Sequence, residues 1–236
     1  MEKPTNELLM YFDIETISEY KHFTELPKKK LLLFKQYFSK FEAMLKKDVN
    51  KEVLTGEDYI QEVYTSTAAF VPEFGKICTI SIGIFKDGEP KLLSFSGKDE
   101  KEILIKTNEV FNKANNKYFL CGHNIKQFDI PYIVKRSYIN GIKPSVIFPS
   151  NDTKPWEVQV VDTKELWNTL NRQGWGSLDL IAEVLNLDSS KEGEVTGGSV
   201  GEFYYNDKID LITEYCERDV LVTMSIVKRL EEIQNN

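Results

Sequence analysis

The chain begins with a short apolar run, LLMYF, that breaks into two acids. Leu8–Phe12 are apolar or aromatic, and Asp13 and Glu15 follow with Ile14 between them. Such a block predicts a first strand over Leu8–Glu15. Further on, CTISIGIF (Cys78–Phe85) and Lys91–Phe95 read as two strands joined through Asp87-Gly88, a hairpin turn pair. Glu100–Asn112 carries helical spacing, and Tyr118–Cys121 is a short strand. Ile130–Tyr138 predicts a helix with Pro131 in its first turn, and Val158–Asp162 a further strand. Ser177 is placed to cap a helix running through Leu185. From Ile209 to Ile233, the residues Ile212, Tyr215, Cys216, Val222, Ile226, Leu230 and Ile233 recur at three- and four-residue steps. That is the buried stripe of a long terminal helix.

Between the first strand and the second lies a stretch that a compact mixed α/β fold does not need. The run KKKLLLFKQYFSKFEAMLKK starts just after Pro27, and its spacing puts Phe34, Tyr37, Phe38, Phe41 and Leu45 on one helical face. Eight lysines fall between Lys21 and Lys47, against only Glu25 and Glu42. Three readings stay open: an amphipathic insertion packing its aromatics on the core, a basic wall along a substrate channel, or a partner-docking helix. A Gly- and Ser-rich segment, NLDSSKEGEVTGGSVGEFYY, separates two later helices and is either a loop near a site or a plain connection.

Composition changes this picture little. At 236 residues, 41% apolar and 28% charged, the chain has ordinary globular composition and is expected to form a single domain over 1–236. Within it, residues 19–75 form a largely helical insertion. Cys78, Cys121 and Cys216 are odd in number, lack ligand spacing and read as reduced core residues of a cytoplasmic protein. The segment MEKPTNELLMYF is too polar for a signal peptide or a membrane span. His22 and His123 have no zinc-like spacing. Trp175, flanked by glycines, is a packing residue or an exposed stacking platform, and Asp162 an N-cap or a contact behind a site. A net charge of −7 argues against a general nucleic-acid coat protein.

The acids carry the chemistry. Asp13 and Glu15 lie two apart on a strand, so they face the same way, at most ~7 Å apart along the chain. Like charges on a buried strand repel and lose hydration, and a divalent cation relieves both. Asp219 falls on the apolar stripe of the last helix, four residues after Tyr215, so the two side chains share a face. A carboxylate aimed at a core is paired or binds a metal. Hard oxygen donors without a His/Cys cluster suit Mg2+ or Mn2+.

These residues resemble the three motifs of the DEDD superfamily of 3′–5′ exonucleases, and within it the proofreading exonuclease domain of family-B DNA polymerases. Asp13-Ile14-Glu15 matches D-x-E, Asn124 through Phe128-Asp129 matches N-x-x-x-F-D, and Tyr215 through Asp219 matches Y-x-x-x-D. The histidine of the other subtype would stand at Glu214, so the third motif is of the tyrosine subtype. The resemblance spans Leu8 to about Val227. It implies an α/β, ribonuclease-H-like mixed sheet flanked by helices, with a helical insertion after the first strand.

The resemblance also implies an activity: metal-dependent release of nucleotides from the 3′ end of single-stranded or frayed DNA, with two Mg2+ or Mn2+ ions. RNA 3′-end trimming is the alternative, and a silent nucleic-acid-binding module is a third reading. By resemblance Asp13 bridges both ions, Glu15 and Asp219 hold the one that activates water, Asp129 completes the second site, and Tyr215 orients the water. The backbone of Thr16 and Ile17, on to Ser18, is expected to cap the terminal 3′-OH, with Asn124, Phe128 and Lys191 as further substrate contacts. With no polymerase region expected beyond Asn236, proofreading is expected to need a polymerase or repair partner in trans. No membrane partner is expected.

Overall fold

The central strand, β1 (Leu9–Ser18), is bordered on one side by β2 (Gly75–Lys86), to which it is antiparallel, and beyond it by β3 (Glu89–Ser96). On its other side lie β4 (Phe119–Gly122), parallel to β1, and β5 (Val160–Asp162), parallel to β4. The five-stranded sheet is therefore mixed, as the resemblance implied, and its strand order is β3-β2-β1-β4-β5. The computed structural model describes residues 5–45, 56–150, 152–154, 157–169, 171, 174, 176–189 and 193–235.

The alternation of β1 assigns its two faces to different helices. Met10, Phe12 and Ile14 join a core with Leu104 and Phe111 of α4 (Glu100–Ala114) and Tyr132 and Ile133 of α5 (Asp129–Ile139). On the opposite face Leu9 and Tyr11 pack on Val220, Met224 and Val227 of α9 (Ile209–Asn235), and Ile17 packs on Ile212 and Tyr215. The side of β1 that lies under α9 thus reads apolar, apolar, Asp13, Glu15, apolar. Gly83 lets α9 come this close, because a Cβ there would lie 2.7 Å from Val220 and 2.9 Å from Met224. Three short helices complete the flanks: α6 (Thr163–Asn168), α7 (Leu178–Val184) and α8 (Val200–Tyr205).

β1 runs three residues further than its apolar pattern suggested, through Thr16, Ile17 and Ser18. The extension crosses a bulge: Glu15 pairs with Thr79 but Thr16 with Ile77, leaving Cys78 as the extra residue on β2. The extra residue lies on β2, so the faces of β1 keep alternating as far as Ile17.

Between β1 and β2 the chain forms α1 (Lys28–Gln36), α2 (Phe38–Ala43) and α3 (Gly56–Thr67). They share a satellite core centred on Phe34, which is fully buried within 6.0 Å, centroid to centroid, of Phe38, Phe41, Tyr64 and Phe74. Tyr37 departs from the expected face: it sits at the break between α1 and α2 and stays 41% exposed. Among the described residues, no helix is long and apolar enough to cross a membrane.

One buried ion pair ties α4, α5 and β2 together. Glu100 receives two hydrogen bonds from Arg136 and one each from the Ile77 amide and Asn140, while Arg136 also donates to the Pro72 carbonyl. Removing one partner leaves a charge in the core, so Arg136→Leu should lower stability by about 3 kcal/mol. The exposed Lys135–Glu73 pair is the control, since Lys135→Leu should change stability by less than ~1 kcal/mol. Urea midpoints of the two variants, measured side by side, check the contrast.

Candidate active site

Asp13 and Glu15 are presented to α9 by the pleat of β1, and α9 answers with Tyr215, Cys216 and Asp219. The ligand atoms of Asp13, Glu15 and Cys216 all lie within 4.8 Å of one another. Glu15 is buried and Asp13 half-buried. Cys216 donates its thiol proton towards the Asp13 carbonyl at 3.4 Å and Asp13 Oδ2 at 3.5 Å. Burial pushes that thiol well above its ordinary range, and its proton is directed at Asp13.

The third acid arrives from the other side of the sheet. β4 pairs with β1 only as far as Tyr11, and the edge of β1 beyond that point is open. There the Ile14 amide donates to Asp129 Oδ1 at 3.2 Å, fastening the first residue of α5 between Asp13 and Glu15. Gly122 makes the approach possible: a Cβ there would stand 2.7 Å from the Phe12 carbonyl. The chain then turns at Asn124, whose φ is 63°, and the Gln127 and Phe128 amides both donate to its carbonyl.

Asp162 holds this turn. Its carboxylate is buried at the end of β5 and accepts the amides of Asn124, Lys126 and Lys164 at 3.0–3.1 Å. The N-cap role expected for it is present, since Lys164 lies in the first turn of α6. Its grip on the Asn124 turn was not visible in the sequence, because β4 and β5 become neighbours only in the sheet. Asn124 accepts from Lys164 Nζ at 3.2 Å, which places a cation that sequence reasoning missed beside the turn.

Electrostatically the cluster is strained by like charge. Burial is the main cause that raises Asp13 well above the carboxylate range, followed by the carboxylates of Asp129, Asp219 and Glu15. Glu15 is raised in the same way, by burial and then by Asp219 and Asp129. Asp129 is pushed to about 8 by burial, although its own amide and that of Ile14 oppose the shift. Tyr215 is raised too, by burial and then by Asp219, Glu15 and Asp13, so its hydroxyl keeps its proton at neutral pH. Hard oxygen donors crowded beneath a protonated thiol are a donor set that fits divalent Mg2+ or Mn2+.

The expected substrate contacts divide. Thr16 faces Tyr132, whose ring lies 5.3 Å from that of Phe128. Phe128 is half-buried and meets Phe70 edge-on at 6.2 Å, and Phe70, 47% exposed, is an aromatic that no motif signalled. Ile17 has its side chain fully buried against Tyr215 and Ile212, which leaves its backbone as the part expected to cap the 3′-OH. Lys191 and Trp175 lie outside the described residues. The later part of the Gly/Ser-rich segment approaches the site, with Val195 buried in the Tyr215 cluster and a Cβ at Gly197 only 3.8 Å from the Tyr215 hydroxyl. His123 spends both ring nitrogens on Thr163 and the Gly176 carbonyl, each at 3.0 Å.

Residues 68–236 match a family described as a predicted 3′–5′ exonuclease related to the exonuclease domain of PolB. That span takes in Asn124–Asp129 and Tyr215–Asp219 and leaves out β1. No curated protein matches the chain. Its fold is similar to that of the family B DNA polymerase from the hyperthermophilic archaeon Pyrobaculum calidifontis, with a TM-score of 0.59 and 15% identity over 94% of this chain. The chain spans 24% of that polymerase.

The raised carboxyls fix the sign of a pH dependence. Above pH ~4 the unfolded chain has released protons that the folded cluster still holds. Without metal, stability should therefore fall as pH rises from about 5 towards 8, the value to which Asp129 is pushed. Thermal melts in EDTA should show a lower Tm at pH 8.5 than at pH 5.5. Asp13→Asn should flatten that dependence and raise the pH 8.5 Tm, and Mn2+ should stabilise the native protein more at pH 8.5 than at pH 5.5.

Proposed function

Because the chain belongs to the family of predicted 3′–5′ exonucleases related to the exonuclease domain of PolB, we propose that it is a metal-dependent enzyme that trims the 3′ end of single-stranded or frayed DNA. In this reading it is a member of the tyrosine subtype, with one exonuclease domain that carries residues 19–75 as an insertion. The observation that carries the proposal is the meeting of three carboxylates at one point of β1: Asp13 and Glu15 on its face, and Asp129 bound to the Ile14 amide between them. Asp219 adds a fourth from α9, close enough to raise the others.

In this reading Asp13, Glu15, Asp129 and Asp219 are the residues that would hold the divalent cations. When bound, such ions acidify a water and offset the charge that builds on the phosphate during hydrolysis. The rest falls to the chain's own groups. Tyr215 keeps its hydroxyl protonated and donates a hydrogen bond that orients the incoming water or a phosphate oxygen; with its proton held this tightly it is no general base. Gly197 leaves the space before that hydroxyl open. Lys164, bonded to Asn124, would hold a substrate phosphate, and the Phe70–Phe128 ring pair would stack the terminal nucleotide. Asp162 is a positioning residue, since it acts only through the Asn124 turn.

Digestion of a 5′-labelled DNA oligonucleotide and its RNA twin, with Mg2+, Mn2+ or EDTA, tests this. The expected result is a metal-dependent ladder shortening from the 3′ end, with DNA the faster substrate. Asp13→Ala and Asp219→Ala should abolish it in protein that still melts cooperatively, and Tyr215→Phe should slow it about 10²-fold. Activity that survives either alanine would refute the metal assignment. RNA cut faster than DNA would move the substrate class.

A further inference from the structure

The insertion between β1 and β2 leaves a face that neither its own core nor the proposed chemistry uses. α1 and α2 bury Phe34 and Phe41 on one side. On the other, Lys29, Leu32, Leu33, Tyr37 and Lys40 recur at three- and four-residue steps, all exposed. Leu32 is 61% exposed, Leu33 47% and Tyr37 41%, an unusual set of apolar groups to leave in water on one short strip. Lys40 Nζ lies 5.1 Å from the centre of the Tyr37 ring, so cation and aromatic are already stacked. Lys28, Lys29 and Lys35 are exposed and form no ion pair among the described residues. In a chain of net charge −7, this is where positive charge gathers.

The strip is tied to the candidate active site. Lys30, in the first turn of α1, is ion-paired with Glu19, the residue that follows β1. Glu19 stands four residues beyond Glu15, a reach of about 13 Å along an extended strand. From Lys29 to Lys40 the strip runs a further ~16 Å at helical rise.

From this geometry we propose that the exposed face of α1 and α2 binds the single-stranded segment of the nucleic-acid substrate that lies 5′ to the end being trimmed. The inference rests on the exonuclease reading above and adds the path of the strand. A chain of phosphates and flat apolar bases is met by a face that carries Leu32, Leu33 and Tyr37 between Lys29 and Lys40, with Lys28 and Lys35 exposed on the same helix. An acidic protein segment would use the lysines but would leave no comparable role for the lysine-backed tyrosine ring, so nucleic acid is the better fit.

The test is binding of 5′-fluorescein dT20 and dT4 by fluorescence anisotropy in EDTA, between 50 and 200 mM NaCl. The native protein is compared with K28E/K29E/K35E and, separately, with Tyr37→Ala. Lys30 is left in place because it fastens α1. The triple variant should bind dT20 at least ~10-fold more weakly at 50 mM salt and lower the salt slope by about 2, at ~0.7 per lost phosphate contact. Tyr37→Ala should weaken dT20 binding roughly fivefold or more without changing the slope. With Mn2+, hydrolysis of the p-nitrophenyl ester of thymidine 5′-phosphate should stay within about twofold of native in both variants, as that substrate does not reach the strip. An unchanged dT20 affinity and slope in the triple variant would overturn the proposal and turn attention to a protein partner for this face. Should the native protein hydrolyse neither the ester nor an oligonucleotide, the exonuclease reading fails, and the dT20 salt slope still decides the strip.

Discussion

Two carboxylates on the inner face of a central strand set the terms for the rest of this structure. Asp13 and Glu15 occupy positions where the pleat of β1 would otherwise continue an apolar face against α9. Burial and mutual repulsion hold their protons well above the carboxylate range, and Asp129 and Asp219 add to the repulsion. A fold keeps such a cluster either by holding protons on the acids or by bringing a cation to them. The surrounding elements serve to bring the acids together and to hold them.

The means are ordinary backbone chemistry. β4 stops pairing with β1 at Tyr11, so the Ile14 amide is available to Asp129. The turn into α5 is gripped by Asp162 from β5 through the Asn124 and Lys126 amides. Farther back, the Glu100–Arg136 pair ties α5 to the Ile77 amide, next to the bulge where β1 passes Glu15. Asp129 is therefore anchored at both ends of its helix, and α9 is seated on Gly83. Preorganisation of this kind lets negatively charged groups remain close before any cation is bound.

Much of this was legible in the sequence because it rests on local periodicity. The strand ending in Asp13 and Glu15, the hairpin at Asp87-Gly88 and the stripe carrying Tyr215 and Asp219 all follow from repeats of two or of three to four residues. The residues picked out by motif spacing from three distant segments do come together. What was missed depends on contacts between elements. Thr16–Ser18 were missed because Thr16 and Ser18 are polar and end the apolar run, while the bulge at this end of the strand lies on β2. Tyr37 faces water because the helix breaks there, and Ile233 is 57% exposed because α9 outruns its neighbours. The proximity of Cys216 to Asp13, of Lys164 to Asn124 and of Phe70 to Phe128 needs the tertiary fold, and no spacing announces it.

The central claim, that these carboxylates stay together because they share divalent cations, is tested most directly by anomalous diffraction from crystals grown with Mn2+. The account predicts strong anomalous density in contact with Asp13, resolved into two ions, one reaching Glu15 and Asp219 and the other on the side of Asp129. Crystals of Asp13→Asn should lose it. Well-ordered carboxylates with no anomalous density among them, or Mn2+ bound only elsewhere, would contradict the account and leave the cluster a set of protonated core acids.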